Sequence, residues 1–326
     1  MEAIHNMIQI QVHEPGGPEN MKLVETHLPT PGAGQALVRV EAAGVNYIDV
    51  YFRTGLYPSE RPILLGMEAA GQVTAVGDGV TAVEPGDRVA YAMARGSYAS
   101  YAVVPAANLV KIPETITSQT AAAAMLQGMT AHYLTMSTFP IKPGHKALVH
   151  AAAGGAGLLI VQMAKSLGAH VIGTVSTEEK AAKAKAAGCD DVILYTREDF
   201  VAATKKLVGA VDVVYDSVGA TTFLKGFDVL KPRGMMVLFG QSSGPVAPFD
   251  PQLLQAKGSV FVTRPSLGHY IADPADLKWR AGDVLDQVAS GRLEIQIDRT
   301  FPLEDAPLAH RALESRATSG KLLLIP

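Results

Sequence analysis

The chain is predicted to be an α/β protein in which a six-stranded, doubly wound parallel sheet is joined to a second, largely antiparallel, barrel-like region. Three observations carry that expectation. The first third of the sequence alternates short strand patterns with turn residues. From Lys146 onward, strand and helix patterns follow one another in turn. The strand that opens this alternation runs into the turn Ala152-x-Gly154-x-x-Gly157, which in turn opens an amphipathic helix.

In the first region, residues 35–41 (Gln-Ala-Leu-Val-Arg-Val-Glu) alternate as a half-buried strand should, and 71–77 and 88–91 are further strands. Gly77-Asp-Gly79 and Pro85-Gly-Asp87 punctuate them. A helix is expected from Thr117 toward Leu134. Beyond Lys146 the expected order is strand 169–175, helix 178–187 closed by Gly188, strand 190–195 and helix 198–208. Strand 211–215 follows, then a helix over 221–230 stopped at Pro232-Arg-Gly234, strand 235–239 and a sixth strand over 258–263. The tail reads as helix 276–290, strand 293–297, helix 306–315 and an apolar strand over 321–325. It is expected to rejoin the first region, giving domains of 1–124 with 266–326, and 125–265.

With 326 residues and 48% hydrophobic side chains, the chain can fill two cores. Its 28 basic and 31 acidic residues leave a net charge of −3, which argues against nucleic acid or an anionic membrane as the main partner. Cys189 is the only cysteine, so neither an intrachain disulfide nor a thiolate metal cluster can form. The N-terminus starts acidic without a secretory pattern, and no apolar run reaches the ~18 residues of a membrane span. A cytoplasmic protein is expected.

The glycine turn has a specific chemical reading. It must be tight, its backbone must come close to a pyrophosphate, and the N–H groups of the following helix supply positive charge. Enzymes of the NAD type usually end the second strand with an acid about 20 residues later, which holds the ribose diol. Here that place is taken by Ser176, with Lys180 four residues on, and a hydroxyl plus an ammonium suits the 2′-phosphate of NADPH. Glu178 and Glu179 oppose this reading. The same residues also read as a helix N-cap and a solvated lysine. Tyr195, ending the third strand, suits either the adenosine phosphate or the core.

The segments Ala43-Gly-Val-Asn-Tyr-Ile-Asp49 and Gly66-Met-Glu-Ala-Ala-Gly71, with the later fingerprint, resemble the medium-chain dehydrogenase/reductase superfamily. In its zinc enzymes a cysteine follows the Gly-Val pair and a histidine precedes the glutamate. This chain has Asn46 and Met67 there, and neither suits zinc. The four-cysteine lobe is missing and the nine histidines are scattered, so no metal is expected.

A closer resemblance, over essentially the whole chain, is to the zinc-independent quinone oxidoreductases, the zeta-crystallin-like NADPH:quinone reductases. It rests on Gly44-Val-Asn-Tyr-Ile-Asp-Val-Tyr51, Gly55-Leu-Tyr-Pro58, Leu126-Gln-Gly-Met-Thr-Ala-His-Tyr133, Val214-Tyr-Asp-Ser-Val-Gly219, Phe239-Gly-Gln-Ser-Ser-Gly244, Gly258-Ser-Val-Phe-Val-Thr-Arg-Pro-Ser-Leu267 and Ala309-His-Arg-Ala-Leu-Glu-Ser-Arg316. The resemblance implies a Rossmann domain beside a GroES-like catalytic domain, and metal-free hydride transfer from NADPH to a quinone. Reduction of an enone or alkenal is the alternative, and an RNA-binding or structural, crystallin-like role belongs to a different class.

For individual residues, the resemblance implies that Asn46 and Thr130 sit by the nicotinamide carboxamide and Gly154, Gly155 and Ala156 meet the pyrophosphate. Ser176, Lys180 and Tyr195 would hold the adenosine phosphate. Gly219, Phe239, Gly240, Ser242, Arg264 and Arg316 would line the rest of the cofactor channel. The forked guanidinium groups of Arg264 and Arg316 suit phosphate oxygens, although surface ion pairs explain them as well. Asn46, Tyr51 and Tyr57 would donate hydrogen bonds to a substrate carbonyl, or the tyrosines would simply pack in the core. The apolar sixth strand leaves an edge to be covered, which points to a homodimer.

Overall fold

The structure, a computed structural model, describes residues 6–326. It divides into two compact units: the chain up to Met129 together with Ile271–Pro326, and Thr130–Tyr270. The first division falls inside one helix, Ser118–Tyr133.

In the first unit the long strand Gln35–Val45 is the organiser. It pairs antiparallel with Glu68–Val76, with Tyr101–Pro105 and with the terminal strand Lys321–Ile325. Arg88–Ala92 and Val110–Lys111 extend this seven-stranded sheet on one side, and Ile297–Pro302 closes the other by a parallel pairing. A second sheet of three strands is built from Asn6–Val12, Met21–His27 and Ile63–Leu64. Ile10, Val38, Val73, Val89, Tyr98 and Leu324 are buried in the core of this unit. The helices Tyr47–Arg53, Pro274–Ala289 and Ala306–Glu314 also belong to it.

The second unit is built on a parallel sheet whose spatial order is Asp191–Leu194, His170–Val175, Lys146–His150, Val211–Asp216, Leu230–Leu238 and Phe261–Thr263. The order reverses between Lys146–His150 and Val211–Asp216, the topological switch point at which such sheets bind ligands. Leu148, Ile172, Val214 and Met236 are fully buried, as strands covered by helices on both faces require.

Several elements depart from the sequence expectation. The helix expected over 221–230 is only Phe223–Gly226 followed by a 3₁₀ turn, Phe227–Val229. The next strand starts at Leu230, so Pro232-Arg-Gly234 is a bulge within a strand: Leu230 pairs with Val211 and Met235 with Val213. In the tail, Leu293 is buried but belongs to no strand, and the strand lies at Ile297–Pro302. The helix expected from 198 starts at Phe200 because the Asp199 carboxylate caps the N–H groups of Val201 and Ala202. The sixth strand is confined to Phe261–Thr263. The helix Tyr47–Arg53, at whose start the Asp49 carboxylate reaches back to the Asn46 N–H, has no counterpart in the sequence expectation.

Candidate active site

The glycine turn occupies the sheet's switch point. Lys146–His150 ends at a turn in which Ala151 adopts φ 51°, and the helix Gly155–Ser166 begins with Gly154 as its N-cap. Gly154 brings no capping side chain, and Leu158 N–H is the first to bond back to the Gly154 carbonyl. The N–H groups of Gly155, Ala156 and Gly157 therefore have no intrahelical acceptor. A Cβ on Gly157 would stand 2.2 Å from the Ala151 carbonyl oxygen, so only glycine fits the close crossing of turn and helix. These features match what a pyrophosphate needs.

At the end of the second strand, the cap of the helix Glu178–Ala186 is Thr177, whose hydroxyl accepts from Lys180 N–H. The alternative that Ser176 caps this helix is thereby corrected: Thr177 does so, and the Ser176 hydroxyl has no capping duty. Tyr195 donates its backbone N–H to the Val175 carbonyl, and its side chain is 48% exposed beside this strand end. The two acids that count against a 2′-phosphate are both ion-paired. Glu178 lies 2.5 Å from Arg197, and Glu179 lies 2.9 Å from Lys183.

The neighbouring loop is organised by buried Asp216. Its carboxylate accepts from Val218 N–H at 2.7 Å, Gly219 N–H at 3.0 Å and the Thr222 hydroxyl at 2.8 Å. Its carbonyl accepts from Phe239 N–H, while Ser242 N–H donates to the Ser217 carbonyl. The Asp216 carboxylate thus holds Gly219, while the backbone carbonyls of Asp216 and Ser217 hold Phe239, Gly240 and Ser242 against the same strand end. Arg264 donates to the Leu238 carbonyl at 3.1 Å, next to Phe239. Thr130, also in this unit, is nearly buried in the helix Ser118–Tyr133.

In the first unit, Asn46 begins the helix Tyr47–Arg53, and its buried amide is surrounded by partners. Its Nδ2 donates to Glu68 Oε1 at 2.7 Å and, at 3.4 Å, to the Gly44 carbonyl. Its Oδ1 accepts from Lys321 Nζ at 2.7 Å and from Gln127 Nε2 at 3.3 Å. Lys321 also pairs directly with Glu68, whose second oxygen accepts from Leu126 N–H. Tyr51 lies on the helix, 5.2 Å centroid to centroid from Tyr57, and Phe52 meets Tyr57 edge-on at 5.6 Å. Both tyrosines therefore share one aromatic cluster. Arg316, at φ 58° after the helix Ala306–Glu314, lies beside Tyr47, where its charge offsets part of the rise that burial imposes on that phenol.

Beneath Asn46 runs a buried polar chain. Asp49 accepts from the N–H groups of Asn46 and Gly66 and from the Tyr98 hydroxyl. Tyr98 meets His310 Nε2 at 3.1 Å, and His310 Nδ1 meets Arg53, which forks onto Glu314 at 2.8 Å through both nitrogens. Arginine can only donate, so Nδ1 accepts, and the neutral ring carries its proton on Nε2 and donates it to Tyr98. Burial pushes the Asp49 carboxyl up to about 7, despite its three donors. Burial, with Arg53 adjacent, pulls His310 down to about 3.

Among the described residues, no group of three or more His, Cys, Asp or Glu is placed to hold a metal. No helix among them is long and apolar enough to cross a membrane.

Two family models match the chain: an alcohol dehydrogenase GroES-like domain over residues 32–114 and a zinc-binding dehydrogenase over 155–272. Quinone oxidoreductase 1 of Escherichia coli K12 is 45% identical over 324 residues, covering 98% of this chain and 99% of the relative. The chain belongs to the quinone oxidoreductase family. An E. coli quinone oxidoreductase solved with NADPH superposes with a TM-score of 0.96 at 45% identity, covering 98% of this chain and all of the other. A 2-haloacrylate reductase from Burkholderia is 41% identical over 325 residues, 97% of this chain and 98% of that protein. Like these quinone oxidoreductase relatives, the chain combines a parallel six-stranded sheet with a separate, largely antiparallel one.

Proposed function

We propose that this protein reduces quinones with NADPH as the electron source and without a metal. The strongest support is the full-length likeness to a quinone oxidoreductase of E. coli, with Asn46 and Met67 standing where the zinc enzymes have their ligands. Bound NADPH supplies a hydride at its nicotinamide ring. The chain's own residues then have to bind, orient and stabilise. Gly154, Gly155 and Ala156 would hold the pyrophosphate, and Ser176, Lys180 and Tyr195 the 2′-phosphate. Thr130 and Asn46 would orient the carboxamide, while Gly219, Phe239, Gly240, Ser242, Arg264 and Arg316 would line the remaining channel. Asn46, Tyr51 and Tyr57 would donate to the acceptor carbonyl as negative charge develops on it.

In this reading the Thr130–Tyr270 unit is the dinucleotide-binding domain and the other unit the catalytic one. The protein works in the cytoplasm as a homodimer joined through the edge strand Phe261–Thr263. A second reading, reduction of an activated carbon–carbon double bond, draws on the likeness to the 2-haloacrylate reductase.

NADPH and NADH oxidation, followed against a panel of quinones, enones and 2-haloacrylates, separates these readings. Expected are turnover with quinones, a preference for NADPH that Lys180→Ala abolishes, and rates that survive a chelator. Tyr51→Phe or Tyr57→Phe should slow quinone reduction by about 10²-fold if that phenol is the donor. Turnover with acrylates alone would favour the second reading, and no NADPH oxidation with any acceptor would refute both.

A further inference from the structure

Glu68 is 0% exposed and Lys321 1%, so the ion pair is shut away from water, while Asn46 beside it keeps 4% exposure. A buried ion pair is poor value for stability, since apolar residues of similar volume often serve as well or better. Its geometry suggests another use. Lysine can only donate and a carboxylate can only accept. Lys321 Nζ, 2.7 Å from Asn46 Oδ1, and Glu68 Oε1, 2.7 Å from Nδ2, therefore dictate which way the amide faces. Turning it over would set its NH₂ against an ammonium and its carbonyl against a carboxylate. The two lone pairs of Oδ1 are taken by Lys321 and Gln127, and one N–H by Glu68. The other N–H has only the Gly44 carbonyl at 3.4 Å, a long bond.

Strand register delivers the three residues to one place. Leu322 pairs with Val45, which brings Lys321 opposite Asn46, and Ala69 pairs with Ala43, which brings Glu68 opposite Gly44. A Cβ on Gly44 would stand 2.2 Å from Glu68 Oε1, so the glycine makes room for the carboxylate. We infer that Glu68 and Lys321 are positioning residues: they fix the sense of the Asn46 amide and leave its one weakly engaged N–H as the donor offered to the ligand. The inference rests on the proposed role of Asn46 beside the nicotinamide and the acceptor.

The test is a mutant cycle. Glu68→Gln/Lys321→Met removes both charges at similar volume, Asn46→Ala removes the amide, and a triple variant combines them. The charge swap Glu68→Lys/Lys321→Glu keeps an ion pair but reverses the direction it imposes. Each is followed by unfolding temperature, by kcat and KM for a quinone, and by NADPH affinity from nucleotide fluorescence. The paired variant should unfold cooperatively yet lose kcat or NADPH affinity by at least about tenfold. The triple variant should be no worse than Asn46→Ala alone, because the pair acts only through the amide. The swap should be impaired although its pair is kept, which a purely structural role would not produce.

Additive losses in the triple variant, or a swap or paired variant with wild-type kcat and wild-type NADPH affinity, would overturn the inference. A wild-type protein that reduces no quinone would refute the proposed reaction instead, and NADPH affinity would still decide the positioning role.

Discussion

At Gly157 the fit depends on a single absent carbon. A Cβ there would meet the Ala151 carbonyl at 2.2 Å, whereas at Gly154 the nearest approach is 3.2 Å to the same oxygen. The first contact forces backbone to move and the second needs only a slight adjustment. Gly157→Ala should therefore cost about 1–3 kcal/mol of stability and weaken NADPH binding, and Gly154→Ala should cost less. Chemical unfolding with nucleotide titration checks the order, and a milder Gly157 variant would contradict it. This motif was legible because its chemistry is local, a strand, turn and helix within a few residues. Glu68 and Lys321 were not, although each is a lone charge at the edge of an apolar run. They are 253 positions apart, and only strand register makes them partners.

Among the secondary-structure elements, the helices Tyr47–Arg53 and Ala306–Glu314 are tied by the chain Asp49–Tyr98–His310–Arg53–Glu314. Two of its perturbed groups, His310 and Asp49, act in opposite directions on acidification. His310, lowered in the folded state to about 3, contributes stability that is present above its unfolded pKa and lost progressively as pH falls from there to about 3. Asp49, raised to about 7, contributes stability that is present below its unfolded pKa and lost as pH rises through about 7. His310→Gln deletes only the first effect. Between pH 7 and pH 5 this variant should lose less stability than the wild type, by roughly 2 kcal/mol. Urea unfolding at the two pH values measures the difference, and parallel losses would remove His310 from the account. Missed elements have the same origin as missed partners. Ile297–Pro302 carries Asp298 and Arg299 and lacks strand periodicity, and it is a strand because Lys321–Ile325 offers it an edge. The 221–230 stretch loses its helix because Val229, about 200° round a helix from Phe227, is drawn into the core together with Phe223 and Phe227, which share one helical face.

For the whole molecule, the parallel sheet of the second unit ends in Phe261–Thr263, with Phe261 57% exposed. An apolar side chain on an unpaired edge invites another strand. Light scattering should give twice the mass of the 34.3 kDa chain, and Phe261→Lys should shift the population toward monomer. A wild-type monomer at micromolar concentration would discard the homodimer.

The succession of the six parallel strands from Lys146 to Thr263 and the glycine turn between the first of them and its helix follow from the sequence alone, because periodicity and turn chemistry act over a few residues. The return of the terminal strand to Gln35–Val45 was foreseen only in outline. Its register, the cap taken by Thr177 and the ion pair that orients Asn46 were decided by tertiary structure. Those choices depend on which distant groups meet once water is excluded, and a buried donor or acceptor must then find its partner wherever the fold brings one.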